Sequence, residues 1–145
     1  MKVGMPSASS SLQILLDTHV FYWLLVGSND LRSRSDLEQA AVSGSLFVSP
    51  ITCWEIGMLA SRGRIHLEMS CSAWIAQALR APGICLLELA PEMAVQASYL
   101  PGDFHGDPAD RMLVASARVG CLTLATRDAK ILTYGKEGHV RVLAC

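Results

Sequence analysis

No stretch of 18 uninterrupted apolar residues occurs in the 145-residue chain, which excludes a membrane-spanning helix. Charge is sparse, 17% of residues, and nearly balanced, with 12 Lys and Arg against 13 Asp and Glu. A net charge of -1 argues at first against a nucleic-acid partner. The five cysteines, Cys53, Cys71, Cys85, Cys121 and Cys145, contain no C-x-x-C pair and form an odd set. They therefore predict reduced thiols packed as small hydrophobes and a cytoplasmic protein, not a disulfide frame. His19, His66, His105 and His139 lack the Cys/His spacing of a zinc site. The apolar run near the start is broken by Asp17 and His19, and no small-residue cleavage site follows, so a signal peptide is not expected. Repeats, low-complexity tracts and linkers are missing as well, which leaves one domain over 12–145 preceded by a loose, Ser-rich extension over 1–11.

What is present is apolar: 51% of the chain. A chain of this length buries roughly 68 to 70% of its unfolded surface, enough for a core that needs no disulfide or metal. Short apolar, β-branched or Leu-rich runs at 14–16, 46–48, 85–89, 122–125 and 140–143 read as strands. Between them helical patterns cover about 18–26, 33–43, 50–62, 72–80, 91–99, 108–119 and 127–133. Strands apolar on both faces and separated by helices predict an α/β fold with a central parallel sheet covered on both sides. Ser49-Pro50 and Asp107-Pro108 each place a capping side chain ahead of a proline at the first helical turn, and Gly63 and Gly120 stand where helices should stop.

In open parallel sheets ligands bind beyond the carboxyl ends of the strands. Four acids fall at such places or in apolar company. Asp17 follows ILL, Asp128 follows LTLATR, Asp110 opens the helix leading into that strand, and Glu55 is the only charge in FVSPITCWEIGMLA. Each has an ordinary alternative: Asp17 and Asp128 can cap helices, Asp110 suits a helix's first turn, and Glu55 can face solvent. Together they suggest more, because carboxylates that share a site repel one another unless a cation offsets them. Oxygen-only ligation suits Mg²⁺ or Mn²⁺.

In order, LLDTH (Leu15 to His19), SPITCWEI (Ser49 to Ile56), DPADRMLVASA (Asp107 to Ala117) and LATRDAKI (Leu124 to Ile131) resemble the PIN-domain nucleases, especially the VapC-type toxins of bacterial toxin-antitoxin pairs. The resemblance spans about Leu12 to Leu143. It implies a three-layer α/β/α fold and an Mg²⁺- or Mn²⁺-dependent endoribonuclease leaving 5′-phosphate and 3′-hydroxyl ends. The family's acidic quartet falls on Asp17, Glu55, Asp110 and Asp128. Asp107 matches the first aspartate of the family's D-P-x-D-R pattern, with capping and support as its expected role. Thr18 and Thr126 match hydroxyl positions beside the acids. Thr52 stands where serine is common, and Ala109 where a larger apolar residue is frequent.

Setting aside Asp17, Glu55, Asp107, Asp110 and Asp128 leaves 8 acids against 12 Lys and Arg, a remaining surface of about +4. That excess can steer a polyanion. Arg62, Arg64, Arg111, Arg127 and Lys130 are the candidate RNA contacts, Arg111 foremost because its neighbour is a proposed ligand. The resemblance also implies a homodimer and an antitoxin partner; Tyr22, Trp23, Trp54, Trp74 and Met58 can line a groove for it or pack in the core.

Other activities fit less well. Cys53-Trp54 is similar to the Cys-Trp pair of papain-like hydrolases but lacks their glycines and their downstream His and Asn pattern. DTHVF lacks the second aspartate of an aspartyl-phosphate phosphatase. The remaining alternative is a catalytically weak PIN-like module that binds RNA or protein without cutting it.

Overall fold

Pleating divides the core in two. All of β1 (Ile14–Leu16) is buried; Ile14 and Leu16 enter one hydrophobic cluster and Leu15 the other, as a side-chain period of two requires. The computed structural model describes residues 12–145, so the extension expected over 1–11 lies outside the described residues. Among the described residues no helix is long and apolar enough to cross a membrane.

Around β1 run β2 (Leu46–Val48), β3 (Ile84–Leu86), β4 (Thr123–Thr126) and β5 (Val142–Ala144), all parallel, in the spatial order β3-β2-β1-β4-β5. Leu15 pairs in register with Phe47 on one side and Leu124 on the other. The helices are α1 (Thr18–Val26), α2 (Arg34–Val42), α3 (Pro50–Ser61), α4 (Cys71–Leu79), α5 (Pro91–Gln96), α6 (Pro108–Gly120) and α7 (Ala129–Lys136). Val20 and Phe21 of α1, Leu37 of α2 and Ala78 of α4 cover one sheet face; Leu113, Val114 and Ala117 of α6 with Ile131 and Tyr134 of α7 cover the other. This is the three-layer α/β/α architecture the residues predict.

Several element ends differ from expectation, for local reasons. The helix expected over 91–99 closes at Gln96, because Ser98 and Tyr99 turn back onto the carbonyls of Val95 and Gln96 at 3.0 and 2.9 Å, three residues away instead of four. The helix expected from 127 begins at Ala129, since Asp128 is its cap. Gly63, at φ 69°, does end α3, but Gly120 stays helical and the left-handed position falls to Cys121 at φ 56°. The last strand is shifted to Val142–Ala144, where Leu143 and Ala144 pair with Ala125 and Thr126.

The strand order fixes where chemistry can occur. From β1 the chain steps outward through β2 and β3, then returns to the other side of β1 for β4 and β5. Connections leave in opposite directions beyond the carboxyl ends of β1 and β4, which opens a crevice there. Asp17 and Asp128 follow those two strands.

Candidate active site

Asp17 leaves β1 as the N-cap of α1: Oδ1 accepts from the Thr18 amide at 2.7 Å and Oδ2 from the Thr126 hydroxyl at 2.6 Å. The same Thr126 oxygen accepts from the Asp128 amide at 3.0 Å. One buried hydroxyl at the end of β4 therefore ties the two acids of the crevice together. Asp128 then caps α7, with Oδ1 accepting from the amides of Lys130 and Ile131 at 2.9 and 3.0 Å. Capping and site residency coincide in both acids, so the ordinary alternative and the functional one describe the same atoms.

Glu55 enters from α3. The Thr18 hydroxyl donates to its Oε1, and the Thr52 hydroxyl lies 3.3 Å from that of Thr18. Both threonines are buried, so the carboxylate has the polar partner that a half-buried charge needs. Asp110 comes from the first turn of α6, whose start is built as the sequence predicts: Asp107 Oδ2 accepts from the Asp110 amide at 3.0 Å, and Pro108 occupies the first turn.

Asp17, Glu55, Asp107, Asp110 and Asp128 line one cleft of about 470 Å³ with Thr18, His19, Trp23 and Arg127. Among the described residues no Lys or Arg pairs with any of these acids. The electrostatic consequence is large. Burial, then the charges of Asp17, Asp107, Asp128 and Glu55, push Asp110 up to about 7. Burial also raises Asp17 and Glu55, against the hydrogen bonds from Thr126 and Thr18 that favour their charged forms. Such acids repel one another and hold several free oxygen lone pairs, the donor chemistry of a hard divalent cation.

Of the candidate basic contacts, Arg127 alone lines the cleft. Arg111 donates to the carbonyls of Ala97, Phe104 and His105 at 2.7, 2.9 and 3.1 Å, and it does not line the cleft. It secures the loop before α6, a different task from the phosphate contact its position suggested. Arg127 reaches the cleft, but its guanidinium donates to the carbonyls of Asp30 and Cys145 and lies 4.4 Å from the centre of the Trp23 ring. Arg62 and Arg64 are exposed beyond the end of α3, and Lys130 lies on α7 beside a neighbouring hollow lined by His105. Trp74, partly buried, packs against Phe21 and Tyr22 at ring distances of 5.8 and 5.9 Å, on the edge of the core. Trp54 is 54% exposed. Burial raises the Cys53 thiol, the opposite of what an activated nucleophile needs.

Two residues, one in the cleft and one beside it, escape sequence reasoning. His19 lies one turn before Trp23 on α1, with the rings 5.6 Å apart; a helical spacing of four was the available signal. His105 has its Nε2 3.2 Å from Asp110 Oδ2. Ligand atoms of His105, Asp110 and Asp128 all lie within 4.8 Å of one another.

Known proteins share this fold and sequence pattern. The family model described as PIN domain matches residues 14–137. Ribonuclease VapC22 of Mycobacterium tuberculosis is 31% identical over 129 residues, 89% of this chain and 97% of that protein. Among solved structures, VapBC2 from Rickettsia felis bound to a DNA fragment from their promoter is similar with a TM-score of 0.66 at 13% identity. DNA-bound VapBC from Salmonella typhimurium follows at 0.63 and 15%. Each covers 92% of this chain and 98% of its own, and at these identities the likeness is one of fold.

Proposed function

This chain belongs to the PIN domain family, and from that membership we propose that it is a metal-dependent endoribonuclease, the toxin of a VapBC-type toxin-antitoxin pair. The observation that carries the proposal is the convergence of Asp17, Glu55, Asp110 and Asp128, from four separate elements, on one cleft at the strand-order reversal. Four acids with no Lys or Arg paired to them among the described residues are a poor arrangement for stability and a good one for binding Mg²⁺ or Mn²⁺.

In the proposed site Asp17, Asp110, Glu55 and Asp128 are the residues that would hold the ion. A divalent ion there supplies Lewis acidity toward a phosphodiester and acidifies a water. The chain's own groups orient the rest. Thr126 fixes the Asp17 carboxylate and the Asp128 amide, and Thr18 fixes Glu55 Oε1, leaving Oε2 to take the proton of the attacking water. Water attack at phosphorus forms the new P–O bond and breaks the bond to the 3′-oxygen, which takes a proton from solvent and leaves as a hydroxyl; the 5′-phosphate and 3′-hydroxyl are the ends that the family resemblance implies.

RNA as substrate is supported by the rings that line the cleft together with the acids. His19 and Trp23, with Arg127 over Trp23, offer faces on which unpaired bases can stack. The VapBC assemblies among the structural neighbours support a cognate antitoxin as partner, a homodimer is what the family resemblance implies, and Trp54, Val95 and Tyr99 leave apolar surface for such contacts.

Full-length protein purified free of antitoxin should cleave single-stranded RNA with Mg²⁺ or Mn²⁺. EDTA should stop the cleavage, and Asp17→Asn should reduce it by at least a hundredfold, on the order of 3 kcal/mol of barrier. Undiminished cleavage by Asp17→Asn, or none by the wild type, sinks the proposal and leaves a non-cutting binding module.

A further inference from the structure

His105 stands beside the acidic cleft, close to Asp110 and Asp128, with its two ring nitrogens in different situations. Nδ1 accepts a hydrogen bond from the Asp107 amide at 3.2 Å. In the neutral ring the proton therefore resides on Nε2. That nitrogen is buried, has no aligned hydrogen-bond acceptor among the described residues, and lies 3.2 Å from Asp110 Oδ2. A buried donor without an acceptor is costly, and a small rotation of the Asp110 carboxyl supplies one.

We propose that His105 is a positioning residue for Asp110: its Nε2-H holds Oδ2 and so turns Oδ1 toward the cation. The inference rests on the acidic cleft being the divalent-metal site. Proximity alone would admit His105 as a ligand, since its ring belongs to the same close group as Asp110 and Asp128. The Asp107 amide argues otherwise, because a ring that accepts at Nδ1 and keeps its proton on Nε2 has no lone pair left for a metal. Donation from a neighbouring group that orients a ligating carboxylate is a recurrent arrangement, and its loss typically weakens metal binding about 10- to 100-fold.

The local build separates the two ring atoms experimentally. Asn at this position keeps an acceptor for the Asp107 amide and loses the reach to Asp110. Gln loses the first contact and places an N-H donor near the position of Nε2. Mn²⁺ and Mg²⁺ binding to the full-length, antitoxin-free protein should be measured by calorimetry for wild type, His105→Asn, His105→Gln and His105→Ala, with thermal melting of each. The expected result is binding of both ions weakened about 10- to 100-fold in His105→Asn and His105→Ala and largely restored in His105→Gln. Nitrogen NMR of the wild-type imidazole should show the Nε2-H form.

Wild-type binding by His105→Asn, an Nδ1-H ring, or loss of Mn²⁺ affinity with Mg²⁺ affinity unchanged would overturn the inference, the last by making the imidazole a ligand. If the wild type bound neither ion, or Asp110→Asn bound both as tightly as wild type, the metal reading of the cleft would itself fail.

Discussion

A carboxyl group held near neutrality is the most consequential single residue here. Asp110, pushed up to about 7 by burial and by its acidic neighbours, keeps a proton in the folded, cation-free protein at pH values where the unfolded chain has released it. The folded state then binds more protons than the unfolded state between about pH 4 and 7, so stability falls as pH rises through that window. Asp17 and Glu55, also raised by burial, act in the same direction. Chemical denaturation without divalent ions should show lower stability at pH 8 than at pH 5. Asp110→Asn should remove on the order of 2 kcal/mol of that difference, allowing for the solvent that screens the cleft. A rise in stability toward pH 8 would refute the coupling. Thr126 is the second residue to test. Its buried hydroxyl serves Asp17 and the Asp128 amide together, so Thr126→Val should destabilise by about 1 to 3 kcal/mol and lower cleavage, as melting and RNA assays can check.

Among the elements, α6 carries the sharpest division of labour. Its cap and its first-turn acid are three residues apart, and Asp107 supplies the hydrogen bond that fixes the Asp110 amide. Asp107→Ala should cost about 1 kcal/mol of stability, the usual loss for an aspartate cap. Asp110→Ala should retain or gain stability at pH 8 while abolishing cleavage. Denaturation curves and activity measured on both variants would expose the reverse pattern. The cap was legible in Asp107-Pro108 because capping is local chemistry. The strand ends were less so: the run 85–89 stays Leu-rich, with Leu87 and Leu89, past the last paired residue, and β3 ends at Leu86, opposite Val48, the last residue of β2.

At the scale of the whole molecule, the cleft couples metal binding to folding. A ligand that binds only the folded state raises its stability by mass action, and an ion that offsets four crowded acids should do so most where those acids are ionised. Mn²⁺ should therefore raise the melting temperature more at pH 8 than at pH 6, and Asp110→Asn should lose most of the effect. Equal shifts for wild type and variant in thermal scans would count against an ion in this cleft.

The sequence by itself determined the class of fold and the identity of the four acids. Apolar runs alternating with capped helical patterns require a covered parallel sheet, and carboxylates such as Asp17 and Glu55 stand out because their neighbours are apolar. Only the tertiary structure decided which side of β1 receives β4, and with it the crevice where Asp17 and Asp128 share the Thr126 hydroxyl. It also decided the fate of the basic residues and of His105. Arg111 and Arg127 spend their donors on carbonyls distant in sequence, and His105 gains its place from a loop that the Arg111 guanidinium holds. The physical reason is one of range. Capping and pleating act between residues a few positions apart and leave a trace in the sequence, whereas the partner of a long side chain depends on how the whole chain closes.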